Sequence, residues 1–456
     1  MKLSKQTIFD ASPWWAKRVL ANAEALRRTW FRQGPEYHAL LPELSPARLN
    51  LDPDRQATVQ LESLNRQLFA AARTVPYYRD ILPKGPLESL DEMADVPVLT
   101  KDMVRNHKES LKNPNLSPLH YWESRTSGST GTPLSYYQAK SSITAHTAAY
   151  HALLDYFGCP YGAPKVRISG VSVLPPSRTE PPYWIYIDWF KQWQFSSFHL
   201  GPHSFDLYLA AMTHADAAFA TGYAGAWNLL AAYVEESGAH APRFRAIITD
   251  AEGVDNDKRR RVERVFDTRM VQTYGTSEVG PTMVQCPHGR YHTLFAAKLV
   301  ELLDKDGTPV TPGQMGEITI TDLHGSDTPF IRYRTGDLAV EAAQPCPCGW
   351  KGQNFPELLG RLDDSIVTPD GREITRLGFI TKAAVGIKES QLVQTAADRL
   401  VIRVVPGEGY SDATRLHLLN TARHYLGESM KLGYETVDRL PRTPSGKVKY
   451  MVREMT

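Results

Sequence analysis

The stretch Ser124–Tyr137 reads SRTSGSTGTPLSYY and places a loop of small, hydroxyl-bearing residues directly before a predicted strand. Its core, Ser127–Thr132, contains only serine, threonine and glycine. Backbone N–H groups and hydroxyls of such a loop can surround a polyphosphate, because glycine lets the backbone approach closely. The stretch matches neither G-x-x-x-x-G-K-[ST] nor G-x-G-x-x-G, which argues against the Walker and Rossmann motifs. Taken alone, it leaves two interpretations open, a surface loop and a phosphate-binding loop.

Length and composition indicate an ordinary globular protein. The 456 residues predict two to four domains, or one large domain with a small one. A net charge of +2 creates no field that calls for nucleic acid or an anionic membrane. The first twenty residues carry charge throughout, and no run of about 18 apolar residues occurs. We therefore expect neither a signal peptide nor a membrane span, and a cytoplasmic location.

The pattern of apolar residues changes along the chain. Up to about His120 it predicts mostly helices, broken at prolines. From Lys165 onward short apolar runs alternate with helical segments, which indicates an α/β core with a mainly parallel sheet. After Tyr291 the pattern favours antiparallel strands, and from about Leu362 it predicts a small α+β domain. The predicted fold class is therefore α/β.

Five further stretches follow the Gly-rich loop in a fixed order. They are DAEGVD (Asp250–Asp255), YGTSEVG (Tyr274–Gly280), RYRTGDLAV (Arg332–Val340), GRLDDSI (Gly360–Ile366) and PRTPSGKVKY (Pro441–Tyr450). Each is weak alone, since any of them could be an ordinary turn. In this order they resemble the adenylate-forming superfamily of acyl-CoA synthetases, adenylation domains and luciferases. The resemblance covers Ser124 to Lys447, most of the chain.

Within that superfamily the chain resembles the phenylacetate–CoA ligase branch, and above all its capsule-biosynthesis members. The residues that carry this likeness are FHLGPHSFDLYLAAM (198–212), FATGYAGAWNLLA (219–231) and CPCG (346–349). The branch implies that a carboxylate attacks the α-phosphate of Mg·ATP, and that a nucleophile, usually coenzyme A, then displaces AMP. It also implies a large N-terminal adenylation domain, residues 1–361, and a small mobile C-terminal domain, residues 362–456. The branch often forms dimers, so a homodimer is one alternative for the assembly.

The resemblance assigns a role to each motif. The implied ATP- and AMP-binding residues are Ser127, Gly128, Ser129, Thr130, Gly131, Thr132, Ala251, Glu252, Gly253, Tyr274, Gly275, Asp337 and Arg361. The implied catalytic residues are Thr276, Glu278 and Lys447, and Leu362–Asp363 is the implied hinge.

Physical chemistry supports these residue types. The reaction brings two anions together, so the site must neutralise charge and align the partners. Glu278 offers the hard oxygen ligand that Mg²⁺ prefers. Lys447 carries a compact ammonium that suits a bridge between carboxylate and α-phosphate.

The cysteines suggest a structural zinc. The candidate ligands are Cys286, His292, Cys346 and Cys348. A Cys-x-Cys pair with a distant cysteine and a histidine can close a tetrahedral site, although the spacing departs from a C-x₂-C knuckle. His288 is the alternative fourth ligand, and buried reduced thiols are the alternative to a metal. No open coordination position is implied, so we expect a structural ion.

The acid is expected to bind near an aromatic-rich region. The candidate pocket residues are Phe198, His199, Tyr223, Ala224 and Trp227. Ordinary core packing is the alternative explanation for any single aromatic residue.

One segment leaves the acyl acceptor open. After GRLDD the chain reads SIVTPDGREITRLGF (365–379), unlike the pattern of phenylacetate–CoA ligases. Coenzyme A is the first expectation, and an amine, a hydroxyl or a carrier-protein thiol are alternatives. A non-catalytic binding protein of a biosynthetic pathway is a rival from another class. The presence of Glu278, Asp337, Arg361 and Lys447 argues against that rival.

Overall fold

A computed structural model of the protein describes residues 9, 12–125, 134–170, 174, 178, 180–250, 253, 256–361, 366–369, 373–374, 380–381, 384–442 and 448–454. Within these ranges, no helix has both the length and the apolar character needed to cross a bilayer.

The N-terminal region is helical, as the sequence predicts. Its helices are α1 (Trp14–Arg32), α2 (Pro35–Glu43), α3 (Pro53–Thr74) and α4 (Lys101–Asn106). α2 and α3 begin with proline, whose fixed φ suits the first helical position and whose missing N–H is not needed there. At the start of α4, the Thr100 Oγ1 accepts a hydrogen bond of 3.2 Å from the N–H of Met103. Local chemistry therefore fixes where these helices start.

A short hairpin flanks the Gly-rich loop. Strand β1 (Tyr121–Arg125) pairs antiparallel with β2 (Ser135–Ala139), with Arg125 opposite Ser135. The sequence predicts β2 but not β1. The loop residues 126–133 lie outside the described residues, and α5 (Lys140–Tyr156) follows β2 directly.

The largest sheet has nine strands and a parallel centre. Its strands are β3 (Lys165–Ser169), β4 (Trp184–Ile187), β5 (Gln192–Ser196), β6 (Phe219–Tyr223), β7 (Ala246–Asp250), β8 (Arg269–Thr276), β9 (Gly280–Gln285), β10 (Tyr291–Thr293) and β14 (Asn354–Phe355). They lie in the order β14-β10-β9-β8-β7-β6-β3-β5-β4. The strands from β8 to β5 in that order are parallel, and the pairs outside them are antiparallel. This confirms the mainly parallel core predicted from the strand–helix alternation.

Helices connect the parallel strands and cover the sheet. They are α6 (Phe205–Ala215), α7 (Ala224–Ser237) and α8 (Asn256–Val265). β6 is buried at every residue, as expected for a parallel strand with both faces covered.

A second sheet is entirely antiparallel, as predicted for the region after Tyr291. It contains β11 (Lys298–Leu303), β12 (Met315–Asp322), β13 (Tyr333–Val340) and β15 (Glu357–Arg361) in that order. Its last pairing sets Asp337 of β13 opposite Arg361 of β15.

The C-terminal part is a small α+β unit, as predicted. Its elements are β16 (Ile366–Val367), β17 (Glu373–Ile374), β18 (Ile387–Ala396), β19 (Arg399–Pro406), α9 (Asp412–Leu426), β20 (Lys431–Thr436) and β21 (Met451–Arg453). β18, β19, β20 and β21 form a four-stranded sheet in the order β20-β19-β18-β21. Leu392, Ile402 and Leu418 belong to an apolar core made of residues from Ile366 onward. The boundary at 361/362 stays a prediction, because residues 362–365 lie outside the described part.

Candidate active site and candidate metal centre

The turn between β8 and β9 carries the YGTSE motif at the carboxyl end of a parallel strand. Ligands of open α/β sheets bind at this edge. Gly275 is required by close packing, since a Cβ there would lie 2.2 Å from the carbonyl oxygen of Gly280. The Thr276 Oγ1 accepts a hydrogen bond of 3.4 Å from the N–H of Val279. The turn is thus a tight structure that fixes both Thr276 and Glu278.

Glu278 is a buried carboxylate with a fixed orientation. Only 6% of the residue is exposed, and the Tyr333 hydroxyl donates a hydrogen bond of 2.9 Å to its Oε1. Burial, with the nearby charge of Glu278, raises the pKa of Tyr136. A carboxylate held among phenols at the edge of the sheet can offer its second oxygen to a cation.

The strand that follows the Gly-rich loop contacts the same turn. Gln138 of β2 donates a hydrogen bond of 2.9 Å from its Nε2 to the carbonyl oxygen of Ser277. The hairpin β1–β2 is therefore attached to the YGTSE turn at the end that follows the loop.

The motifs YGTSE and RTGD meet at the hydroxyl of Tyr274. The Tyr274 hydroxyl donates to Oδ2 of Asp337 at 2.8 Å and lies 3.5 Å from the Thr335 hydroxyl. Asp337 stands opposite Arg361 in the second sheet. The structure thus brings the residue expected against adenine beside the one expected to accept from the ribose hydroxyls.

Other predicted site residues lie outside the described residues, and their roles stay predictions. They are Ser127, Gly128, Ser129, Thr130, Gly131, Thr132, Ala251, Glu252, Asp363 and Lys447. Gly253 is described and exposed, and Arg361 is described only as part of β15.

Sequence reasoning missed a half-buried ion pair at the same edge of the sheet. The guanidinium of Arg167 donates to both carboxylate oxygens of Asp250, at 3.2 and 2.8 Å. Burial opposes the charged guanidinium, but Asp250 outweighs it and raises the pKa of Arg167. Asp250 is thereby held at the end of β7, next to the AEG triplet. The sequence feature that could have indicated this pair is Arg167 itself, a charged residue within a predicted buried strand.

Four of the predicted pocket residues lie at the carboxyl ends of β5 and β6, two parallel strands of the largest sheet. His199 stacks on Tyr183 with ring centroids 4.9 Å apart, and its Nδ1 lies 2.8 Å from the Ser196 hydroxyl. Phe198 is half-buried, while Tyr223 and Ala224 join the end of β6 to the start of α7.

Trp227 is a core residue. Its side chain is fully buried and packs edge-on against Phe244 and Phe266, with centroids 5.5 and 5.6 Å away. Its indole N–H donates to the carbonyl oxygen of Thr221 at 3.2 Å. These contacts account for the residue without a bound acid.

The predicted zinc ligands converge in space. The ligand atoms of Cys286, His292, Cys346 and Cys348 all lie within 4.8 Å of one another. The Sγ atoms of Cys286 and Cys346 are 3.7 Å apart, and Sγ of Cys348 lies 3.4 Å from Nε2 of His292. Zinc bonds of about 2.3 Å to sulfur and 2.1 Å to nitrogen, arranged tetrahedrally, give separations of about 3.8 and 3.6 Å. The cluster therefore has the dimensions of such a site.

His292, not His288, faces this cluster. His292 is fully buried in β10, whereas His288 is exposed in the turn before it. Burial lowers the pKa of His292 to about 4, so the imidazole is neutral and can act as a ligand. The N–H of Trp350 donates to Sγ of Cys348 at 3.3 Å, which orients that thiol.

Comparisons of sequence agree with these motifs. Residues 366–454 match the family model described as the CapK C-terminal domain. Protein CapK of Staphylococcus aureus is 21% identical over 397 residues, which cover 83% of this chain and 85% of that protein. Phenylacetate-coenzyme A ligase of Thermus thermophilus is 32% identical over 114 residues, which cover 24% of this chain and 26% of that protein.

Comparisons of structure agree with the fold. A crystal structure of 2-hydroxyisobutyryl-CoA ligase in the postadenylation state has a TM-score of 0.69 and 17% identity, covering 89% of this chain and 91% of that chain. The same ligase in the thioesterification state has a TM-score of 0.56 and 18% identity, covering 90% of this chain and 92% of that chain. The match to the CapK C-terminal domain, the likeness to CapK over 83% of this chain and the shared fold confirm the predicted resemblance to the adenylate-forming superfamily, near CapK.

Proposed function

We propose that the protein activates a carboxylic acid with Mg·ATP and then passes the acyl group to an acceptor, first of all coenzyme A. The observation that carries this proposal is the Tyr274–Asp337 hydrogen bond beside buried Glu278. It assembles groups suited to a base, a ribose and a metal-bound phosphate at one edge of the sheet.

In the first step, a carboxylate oxygen of the acid forms a bond to the α-phosphorus, and the bond from that phosphorus to pyrophosphate breaks. Tyr274 stacks on adenine, and Asp337 accepts hydrogen bonds from the ribose hydroxyls. Residues 127–132 cover the leaving phosphates. Lys447 bridges the carboxylate and the α-phosphate, because its ammonium offsets the repulsion between them.

Glu278 and Thr276 are the residues that would hold Mg²⁺, which would neutralise phosphate charge during the attack. The buried, oriented carboxylate and the hydroxyl on the same turn fit a hard cation. Through their hydrogen bonds, Glu278 and Thr276 also keep the YGTSE turn next to the phosphates.

In the second step, the acceptor attacks the acyl carbon and AMP leaves with both electrons of the broken acyl–oxygen bond. The acid lies against Phe198, His199, Tyr223 and Ala224, on the side of the sheet where β6 ends. The likeness to phenylacetate-coenzyme A ligase supports coenzyme A as the acceptor. Segment 365–379 departs from the pattern of phenylacetate–CoA ligases. An amine or a carrier-protein thiol as the acceptor is therefore an alternative outcome of the test.

Cys286, His292, Cys346 and Cys348 hold a structural zinc in this proposal. Three thiolates and one imidazole would supply four ligands, so the ion would join the end of β9, β10 and the loop before β14. No step of the reaction passes through it.

The test is pyrophosphate release from Mg·ATP over a panel of aryl, fatty, hydroxy and amino acids, each with and without coenzyme A. Release together with a thioester supports the whole proposal. Release without a thioester supports the adenylation step and shows that the acceptor is not coenzyme A. If no acid releases pyrophosphate and calorimetry detects no ATP binding, the proposal is overturned.

A further inference from the structure

We infer that Glu236 positions the C-terminal part of the chain, and with it the segment that carries Lys447, for the adenylation step. The inference rests on the proposed function, since it gives the position of Lys447 a chemical consequence.

Glu236 joins the body to the C-terminal part through both of its carboxylate oxygens. Its Oε2 lies 2.8 Å from Nζ of Lys388 on β18. Its Oε1 accepts a hydrogen bond of 3.2 Å from the N–H of Glu408, just after β19. One side chain thus fixes two points of the C-terminal sheet.

The helix that carries Glu236 is itself paired with a neighbouring helix. Glu236 stands in the last turn of α7, and its neighbour Glu235 forms ion pairs with Arg261 and Arg264 of α8. A negative charge at a helix C-terminus opposes the helix dipole, so two successive glutamates there are stabilised by cations outside the helix. Arg261 and Arg264 form ion pairs with Glu235, and Lys388 forms one with Glu236.

The strand that carries Lys388, β18, contacts described residues on both sides of residue 447. The next residue on that strand, Glu389, accepts a hydrogen bond of 2.7 Å from Arg442. Further along the strand, Gln391 donates one of 2.9 Å to the carbonyl oxygen of Lys449. Residues 442 and 448 also pair as an antiparallel bridge. The strand that binds Glu236 therefore holds the described residues on either side of 443–447.

The arrangement that these contacts stabilise is the one that suits adenylation chemistry. The fold aligns better with the ligase in its postadenylation state, at a TM-score of 0.69, than in its thioesterification state, at 0.56. Rotation of the C-terminal part away from α7 would break both contacts of Glu236. The pair is about one quarter exposed on each side, so its removal should shift the balance between arrangements roughly two- to fivefold.

The variants are Glu236→Gln, Glu236→Lys and the charge swap Glu236→Lys with Lys388→Glu. Glu428→Lys is the matched control, because it breaks the exposed Arg423–Glu428 pair within the C-terminal part. With the acid that gives the strongest pyrophosphate release, Glu236→Lys should slow adenylation about fivefold or more. Acyl transfer from adenylate already formed should stay within twofold. The swap should restore adenylation, which a simple loss of stability would not allow.

Hydrogen exchange of the full chain tests the contact without any substrate. Peptides that contain Glu408 should exchange faster in Glu236→Lys and stay unchanged in Glu428→Lys. The charge swap rebuilds only the ion pair, because a lysine at position 236 cannot accept from the N–H of Glu408, so its exchange should return toward wild type in peptides around position 388. Equal exchange in wild type and Glu236→Lys, or a swap no better than the single variant, would overturn the inference. If the wild type releases no pyrophosphate, the proposed function fails, and the exchange data alone still decide whether Glu236 holds the C-terminal part.

Discussion

At the scale of single residues, the contact that organises the candidate site is the hydrogen bond from the Tyr274 hydroxyl to Asp337. Both residue types were predicted from their motifs, but their contact was not. They stand 63 positions apart, on different sheets, and no local pattern encodes how two sheets meet. Arg167 was missed for a related reason. Its partner Asp250 lies 83 positions away, on a strand two places along the same sheet, and no local pattern encodes the order of strands.

Replacing Asp337 by Asn should raise KM for ATP about tenfold or more, because an amide is a weaker acceptor for two ribose hydroxyls. Tyr274→Phe keeps the ring and removes the hydroxyl, so we expect a smaller loss of about two- to tenfold. Steady-state pyrophosphate release at saturating acid measures both. Unchanged KM for ATP in Asp337→Asn would remove Asp337 from the nucleotide site.

Lys447→Ala should slow acyl-adenylate formation at least 100-fold, since the charge that offsets repulsion in the attack is lost. Transfer from adenylate supplied from outside should persist, because that step does not need the same lysine. Rapid-quench assays of each half-reaction measure the two rates. Lys449→Ala is the neighbouring control, and adenylation near the wild-type rate in Lys447→Ala would contradict the assignment.

At the scale of elements, the periodicity of apolar residues predicted those strands and helices whose sequence pattern is set by burial. The parallel strands after Lys165 read clearly because helices cover both of their faces. The aromatic-rich segment PPYWIYIDWFKQWQF (181–195), near which the acid is expected to bind, forms the edge strand β4 and most of its neighbour β5. Its dense aromatic residues hide the alternation that marks a strand. β1 escaped prediction because its five residues are mostly polar and it pairs only with β2.

A buried charge cluster joins three elements behind the YGTSE turn. Lys298 of β11 lies 2.7 Å from Asp322 of β12, and His146 of α5 lies 2.6 Å from the other oxygen. The ring of His146 also packs on Gly280, where a Cβ would lie 2.6 Å from it. The cluster therefore ties the two sheets and the YGTSE turn together.

Asp322→Asn should lower the free energy of unfolding by about 3–5 kcal/mol, because it leaves the Lys298 ammonium buried without a counter-charge. The double variant Asp322→Leu with Lys298→Met should lose less, since no charge stays unpaired. Urea unfolding at pH 7 measures both. A double variant less stable than the single one would contradict this account.

The same cluster predicts loss of stability in acid. Burial opposes ionisation of Asp322, but Lys298 and His146 outweigh it and lower the pKa of Asp322 to about 2 from an ordinary 3.8. A lowered folded pKa means that the stabilisation is complete above pH 4 and disappears as the pH falls toward 2. Burial also lowers the pKa of His146, so its protonation acts in the same direction below its ordinary value of 6.5. Thermal unfolding from pH 7 to pH 3 should show a smaller decline in Asp322→Asn than in wild type.

Removal of zinc should destabilise the sheet edge formed by β9, β10 and β14. Metal analysis of the purified protein should give one zinc per chain, and a strong chelator should lower Tm by several degrees. Cys348→Ser should lower metal content and Tm, while Cys159→Ser, outside the cluster, should keep the metal. A metal-free protein with an unchanged Tm would contradict the zinc site.

At the scale of the whole molecule, the order of motifs predicted more than any single element did. Ser124–Tyr137 alone could be a surface loop, and only the later motifs, by their resemblance to a family, predict that it binds phosphate. The α/β body and the small α+β C-terminal part follow from that order and agree with the structure. The contacts of Glu236 with Lys388 and Glu408 could not be predicted, because they depend on how two separately folded parts meet.

The most direct test of the central claim is the identity of the nucleotide product. Wild-type protein, Mg·ATP and the acid panel should yield AMP and pyrophosphate in equal amounts by ³¹P NMR, and Lys447→Ala should yield neither at a comparable rate. Production of ADP and phosphate, or ATP binding without any acid-dependent turnover, would contradict an AMP-forming ligase.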